Sequence, residues 1–323
     1  MKKTFKVLLG AAVLVTEVFA LALPILTTSV KADGAIQAIT HAGFGGGTDV
    51  TTRMMLLRTR RYLKQDMQLV NKKGGGGATS MDYMMTLPAD GQHTLTWTTG
   101  HAVSMALGKT KVKLSDMQPL ARGTDDPQLF VVNCKNDIKD AKKFVSAQKS
   151  KSLKYGTTHV GGIDDVSAIA FTKKGNLTDP TIVAYKGVAP IKTNLIKGDI
   201  DVGVLNLGEA VTEIEDGTLC VAVVLASKRM DKLSNVPTAT ELGIPVVLST
   251  VRGFVTRKGV PADRAKQLED AMIKAMEHKY FQSFLTDIGL DSTSVVGADE
   301  WGKQMEVMLA EMTSQLKALG YIK

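Results

Sequence analysis

Two glycine-rich runs are the first places in this chain where backbone could do chemistry. Gly43-Phe44-Gly45-Gly46-Gly47-Thr48-Asp49 follows a short apolar run, and Gly74-Gly75-Gly76-Gly77 leads into Ala78-Thr79. Glycine lets backbone approach a ligand closely, and N–H groups at a helix start attract negative charge. Each run could instead be a tight turn, with Thr48 or Thr79 near a helix cap. Two such clusters after two successive strands favour a cradle for an anion or carboxylate. Neither is a nucleotide loop. No Gly-Lys-Ser/Thr follows the first, and counting from Gly43 the G-x-G-x-x-G spacing breaks at Thr48.

Polar residues elsewhere offer fewer reactions. His101 ends Thr98-Thr99-Gly100-His101, and His159 lies in Thr157-Thr158-His159-Val160-Gly161-Gly162. Each is either a solvent-exposed loop histidine or a binding or base residue. Asp164 and Asp165 are adjacent, so they do not face one another on a helix; Asp164 reads as an N-cap or as an acceptor for a ligand hydroxyl or amine. Arg252 lies in the extended apolar stretch Thr250-Val251-Arg252-Gly253-Phe254. A charge there needs a partner, which is either a structural carboxylate or a ligand's. No G-x-S-x-G elbow, H-E-x-x-H pair or cofactor fingerprint occurs, so the expected cofactor and metal content is none. Cys134 and Cys220 sit in strand-like apolar runs and are expected to be free buried thiols, a disulfide being the other option in an oxidising compartment.

The elements that must position these residues alternate. Short strands are expected at 36–40, 67–70, 94–98, 129–134, 153–156, 181–184, 200–205 and 219–225. Helices are expected from Thr48 and at 78–86, 141–149, 166–171, 190–196 and 207–215. Farther on, Leu268, Met272 and Ala275 share a face, and Trp301, Met305, Met308, Met312, Leu316 and Leu319 form a core-facing stripe. Alternation of this kind implies an α/β fold with a mostly parallel sheet, and 323 residues suffice for two lobes.

Composition excludes several classes. With 44% hydrophobic and 22% charged residues the chain is an ordinary globular one, and 5% aromatics are too few for a base-stacking platform. Lys2, Lys3 and Lys6, an apolar stretch over 7–26 and the small residues of Val30-Lys31-Ala32 read as a secretory signal over residues 1–32. Those residues carry four Lys and one Glu, so their removal leaves +5 of a formal +8. That surplus calls for no nucleic-acid partner but helps a small anion approach. The basic runs 64–73 and 135–154 read as solvated faces.

Gly43 to Asp49, Asn71 to Gly77, Pro88-Ala89-Asp90-Gly91, Tyr185-Lys186-Gly187-Val188-Ala189-Pro190, Gly198-Asp199-Ile200-Asp201-Val202 and Arg229 to Leu233 stand in an order that resembles the solute receptors of tripartite tricarboxylate transporters, the Bug or TctC family. Val236-Pro237-Thr238 with Glu241 and Gly243 continues the likeness, and His159 to Asp164 with Arg252-Gly253-Phe254 looks closest to the branch containing citrate receptors. The resemblance implies a monomeric, two-lobed periplasmic clamp. It would carry a di- or tricarboxylate to a large and a small membrane subunit. It implies ligand contacts from Phe44, Gly45, Gly46, Gly47, Thr48 and Asp49 and from Thr98, Thr99, Gly100 and His101. The second lobe would add His159, Val160, Gly161, Gly162 and Asp164, with Asn206, Glu209 and Arg252. The lobes are expected at 33–131 with 252–323, and at 132–251. The alternatives are a secreted enzyme of small organic acids, with His101 or His159 as base, and a sensor of the same fold feeding a membrane kinase.

Overall fold

The computed structural model describes residues 34–158 and 160–323. The expected signal segment and His159 lie outside the described residues. In chain order the elements are β1 (Ile36–Thr40), α1 (Gly47–Leu56), α2 (Thr59–Leu63), β2 (Met67–Asn71), α3 (Ala78–Met85), β3 (His93–Thr98) and α4 (Thr99–Ala106). They continue with β4 (Met117–Pro127), β5 (Leu129–Asn133), α5 (Ala141–Ser150), β6 (Lys154–Thr157), α6 (Ile163–Lys174), β7 (Thr181–Ala184), α7 (Val188–Lys197) and β8 (Val202–Leu205). The last are α8 (Leu207–Glu215), β9 (Leu219–Val224), β10 (Ser249–Arg257), α9 (Ala262–Met276), α10 (Lys279–Asp287), β11 (Val296–Gly297) and α11 (Ala298–Ala318).

Two sheets result. The first has the order β11-β4-β10-β3-β1-β2 and the second β7-β6-β8-β5-β9. They are mixed rather than mostly parallel. β1 pairs in parallel with β2 and β3, and β6 with β7 and β8. Every pairing made by β4, β5 or β10 is antiparallel. The cause is the path between sheets. β4 ends in the first sheet at Pro127, Gln128 follows, and β5 opens in the second at Leu129; the chain returns over 225–248 to enter the first sheet as β10. The two passages are stitched together by Gln128 N–H to Leu248 O (2.9 Å), Leu225 N–H to Gln128 O (2.8 Å) and Leu248 N–H to Leu225 O (2.9 Å).

Each sheet is covered differently. Trp301, Met305, Met308, Met312 and Leu316 of α11 are buried, as the stripe predicts, and Trp301 meets Trp97 edge-on at 5.7 Å. The Trp301 indole also donates to Phe254 O (3.2 Å). In the second sheet Phe130, Phe144, Tyr155 and Phe171 pack as one aromatic group. Gly156 and Gly203 are register partners. A Cβ on Gly203 would lie 2.7 Å from Leu195, and one on Gly156 would lie 3.1 Å from Ile191, so the bare floor lets α7 settle close.

Cys134 and Cys220 form a disulfide with Cα atoms 5.0 Å apart, which corrects the expectation of free thiols. They are also half-buried rather than buried. Cys134 follows β5 directly and donates its N–H to Thr218 O, while Cys220 pairs in β9 with Val132, so strand register sets the two side by side. No helix of the described residues is long and apolar enough to cross a membrane.

Candidate functional site

Of the helices that follow parallel strands, four bear on the site: α1 and α4 after β1 and β3, α6 and α8 after β6 and β8. The first turn of a helix leaves N–H groups without intrahelical partners and carries partial positive charge. Contacts bring the start of α1 to the start of α8, and the start of α6 to the far end of α4. A Cβ on Gly47, the first residue of α1, would lie 2.5 Å from Oε1 of Glu209 in α8. A Cβ on Gly161, before α6, would lie 3.6 Å from Leu107 and 3.8 Å from Nζ of Lys109, both just beyond α4.

The loops that open α1 and α6 share one construction, Gly-Gly-x-x-Asp. Gly45 has φ +73° and Gly161 φ +68°, a left-handed conformation that glycine adopts without a Cβ penalty. Gly46 and Gly162 are the N-caps. Asp49 and Asp165, each three residues beyond its cap, turn back on their loops: Gly45 N–H donates to Asp49 Oδ2 (3.1 Å) and Gly161 N–H to Asp165 Oδ2 (2.5 Å). Phe44 and Val160, one residue ahead of each glycine pair, are 78% and 73% exposed, so each loop carries an apolar tip.

Asp49 is buried and fully engaged, also accepting from Arg53 Nε (3.0 Å) and Asn71 Nδ2 (3.2 Å). Burial alone would raise its pKa, but hydrogen bonds from Arg53, Gly45 and Asn71 outweigh it and leave the carboxyl below the ordinary value. Its work is to shape the loop. Asp164 takes Oδ2 contacts from Thr158 N–H (2.9 Å) and Oγ1 (2.6 Å). It is the second residue of α6 rather than the expected N-cap, because the glycine turn closes two residues earlier.

His101 is fully buried, which corrects the picture of an exposed loop histidine. Thr98, the N-cap of α4, donates its backbone N–H to His101 Nδ1 (3.0 Å). The ring proton therefore sits on Nε2, which faces Ser80 Oγ at 3.0 Å, and Ser80 in turn donates to Gly77 O (2.7 Å). Burial, helped by His41, pushes the imidazole well below its usual pKa and keeps it neutral. The ring props the Gly74–77 turn, where a Cβ on Gly77 would lie 2.8 Å from it. The Thr99 hydroxyl is likewise engaged, donating to Ser249 O (3.0 Å) and accepting from Val251 N–H (2.9 Å). Gly100 lies in the first turn of α4 between them.

Arg252 is buried, and each of its three nitrogens has a protein partner. Nε donates to Thr48 Oγ1 (3.1 Å), Nη1 to Asp126 Oδ2 (3.2 Å) and Nη2 to Asn206 Oδ1 (3.3 Å). Its carboxylate partner in this structure is Asp126. Asn206, N-cap of α8, also donates to Asp126 O (2.9 Å) and Pro127 O (3.0 Å), clasping the end of β4. Glu209 Oε2 accepts from Asn206 N–H (3.0 Å). Burial lifts Asp126 to about 7 against the pull of Arg252, with Glu209 adding to the rise. Glu209 is raised too, chiefly by burial. Asp126 is the residue the sequence reading missed. Its Oδ1 is buried with no hydrogen-bond partner among the described residues, and a lone Asp-Asp pair in an unremarkable stretch gave no signal for it.

Known proteins carry the same architecture. BugT of Bordetella pertussis is 25% identical over 218 residues, 65% of this chain and 66% of that one. Among solved structures, MatC of Rhodopseudomonas palustris with bound malate superposes with a TM-score of 0.78 at 21% identity, over 88% of this chain and 99% of that one. A second R. palustris protein, with adipate, gives 0.80 at 21% identity over 90% and 98%. The fold is that of the two-lobed periplasmic binding proteins. Residues 51–317 match the family model TctC, the tripartite tricarboxylate transporter family receptor, and with most of its length inside that match the chain belongs to this family of solute receptors.

Proposed function

We propose that this protein is a periplasmic receptor that captures an organic di- or tricarboxylate between its lobes and hands it unchanged to the large and small membrane subunits of a tripartite transporter. Residues 1–32 would direct its export. The lobes would divide at the stitched passages through Gln128 and Leu248, a few residues before the expected bounds at 131 and 251, so that β5 belongs to the second lobe and β10 to the first. The observation that supports this most is the doubled Gly-Gly-x-x-Asp loop. Its aspartates are turned inward on loop N–H groups, so the positive helix starts are left to meet an anion. Malate and adipate in two structural neighbours agree in chemical class.

In this reading one ligand carboxylate lies between Gly46-Gly47-Thr48 and Gly161-Gly162, with Phe44 and Val160 over its carbon chain. Thr98, Thr99, Gly100, His101, Asp164, Asn206 and Arg252 hold the cradle in shape. Glu209 lines its edge and would accept from a ligand hydroxyl. The test is a thermal-shift screen of residues 33–323 against mono-, di- and tricarboxylates, followed by mass spectrometry of the recovered acid. A ligand that binds only the folded state raises the melting temperature by mass action. A shift with one acid class and intact acid afterwards is the expected result. Chemical conversion of the acid would refute the receptor in favour of an enzyme.

A further inference from the structure

A second ligand carboxylate needs a cation, and the two candidates in the sequence are already committed. Arg252 is held by Asp126, Thr48 and Asn206, and His101 is buried and neutral with both ring nitrogens bonded. On the edge bearing Glu209 and Asp126, Arg252 is already engaged with buried carboxyls. The opposite edge is different. Lys73 Nζ lies 3.0 Å from where a Cβ on Gly43 would sit, at the entry to the first glycine loop. Lys109 Nζ lies 3.8 Å from the equivalent position on Gly161, in the second.

One continuous rim joins these two ammonium groups. Lys73 is followed by the Gly74–77 turn, whose Gly75 and Gly76 carbonyls accept from Ser104 Oγ (3.0 and 2.8 Å). Ser104 O accepts from Lys109 N–H (3.0 Å), and Lys109 reaches Gly161. Both lysines are exposed, and neither forms an ion pair with a described residue. The neighbouring Lys72 is occupied instead, lying over the Tyr83 ring at 3.9 Å. The sequence reading assigned Lys73 to a solvated face. Its position at a ligand loop gives it another role.

We infer that Lys73 and Lys109 form the subsite for the distal carboxylate and make the receptor select dianionic over monoanionic acids. This rests on the receptor reading above, with the proximal carboxylate between the glycine loops. An exposed ammonium is strongly hydrated and holds an anion by charge rather than by a fixed fork, so the subsite would tolerate acids of several lengths and be weakened by salt.

Calorimetric titration of residues 33–323 with butanedioate, hexanedioate, butanoate and hexanoate tests it, on the wild type, Lys73→Gln with Lys109→Gln, and the matching double Arg variant. Wild type should bind a diacid tighter than the monoacid of equal length by about tenfold or more. The double Gln variant should lose that preference, its diacid affinity falling about tenfold further than its monoacid affinity, and the double Arg variant should retain the preference. A double Gln variant that still prefers the diacid as wild type does would overturn the lysine subsite. So would equal wild-type affinity for diacid and monoacid, with the receptor reading left intact. No binding by wild type of these four acids or of citrate, titrated as a fifth, would overturn the carboxylate cradle itself, and the subsite with it.

Discussion

The two glycine loops have the same frame and different surroundings. Gly45 is exposed with nothing near its missing Cβ, whereas Gly161 is buried under Leu107 and Lys109. The first loop is braced from outside itself: Asp49 by Arg53 and Asn71, Thr48 by Arg252. In the second, Asp164 and Asp165 both bond to the residues just ahead of α6, at Thr158 and Gly161. One backbone solution for presenting helix N–H groups thus has two means of support. The first draws on Arg53 of its own helix and on Asn71 and Arg252 from other strands, and the second on bonds to the residues just ahead of α6 and on contacts at the end of α4.

The sharpest way to break this contrast is to remove the distant brace. Arg252→Met takes a donor from Asp126, Thr48 and Asn206 at once and should cost about 3–5 kcal/mol, at about 1–3 for each buried acceptor left unsatisfied, read from urea unfolding. A cost below about 1 kcal/mol would mean that the first loop stands without Arg252. The second sheet has its own constraint in the Cys134–Cys220 bridge, whose partners are 86 residues apart. Replacing both with Ala should destabilise by about 2–4 kcal/mol, measured by the same unfolding. Hydrogen exchange should show the protection loss falling first on β5 and β9.

Asp49→Ala and Asp165→Ala form a matched pair. Each removes a carboxylate that folds its loop, and each should cost about 1–2 kcal/mol of stability. Both should weaken carboxylate binding. A gain in affinity at either position would mean that the carboxylate acts on the ligand by repulsion and not through the loop.

The smallest effect is a pH slope. Asp126 holds its proton to about pH 7 in the folded protein, well above an unfolded aspartate near 4, so its contribution is complete at low pH and is lost as pH rises through 7. Wild type should lose about 1 kcal/mol between pH 6 and 8 that Asp126→Asn does not. His101 runs the other way. Its lowered pKa gives a contribution present above about 6.5 and lost on acidification, which His101→Gln should remove.

Local features of the fold were legible in the sequence. The strand at Ile36–Thr40, the helix over Leu207–Glu215 and the buried face from Trp301 to Leu316 follow from periodicity and small-residue turns, which act over a few residues. β4 was not legible. Pro119, Gly123, Asp125 and Asp126 contradict strand patterning, and the run is a strand only because β10 pairs along it from 249–257. At the site, Gly45, Gly46, Gly161 and Gly162 stand where the sequence put them, at two helix starts. The engagement of Thr99, His101 and Arg252 by protein partners could not be read. It depends on Ser249, Ser80 and Asp126, residues whose types carry no chemical signature at those positions.

The place of β10 between β3 and β4 also bears on how the chain acquires its shape. As a polypeptide emerges from its N-terminus, β1, β2 and β3 can associate early, but the strand that joins β3 to β4 is more than 120 residues behind. Until it arrives, both strands keep an open edge, and the closure that follows spans the entire second sheet. Topology of that kind folds slowly. Were the chain exported as an extended thread, as proposed, this delay would be protective: the first sheet would not lock before most of the molecule had been made.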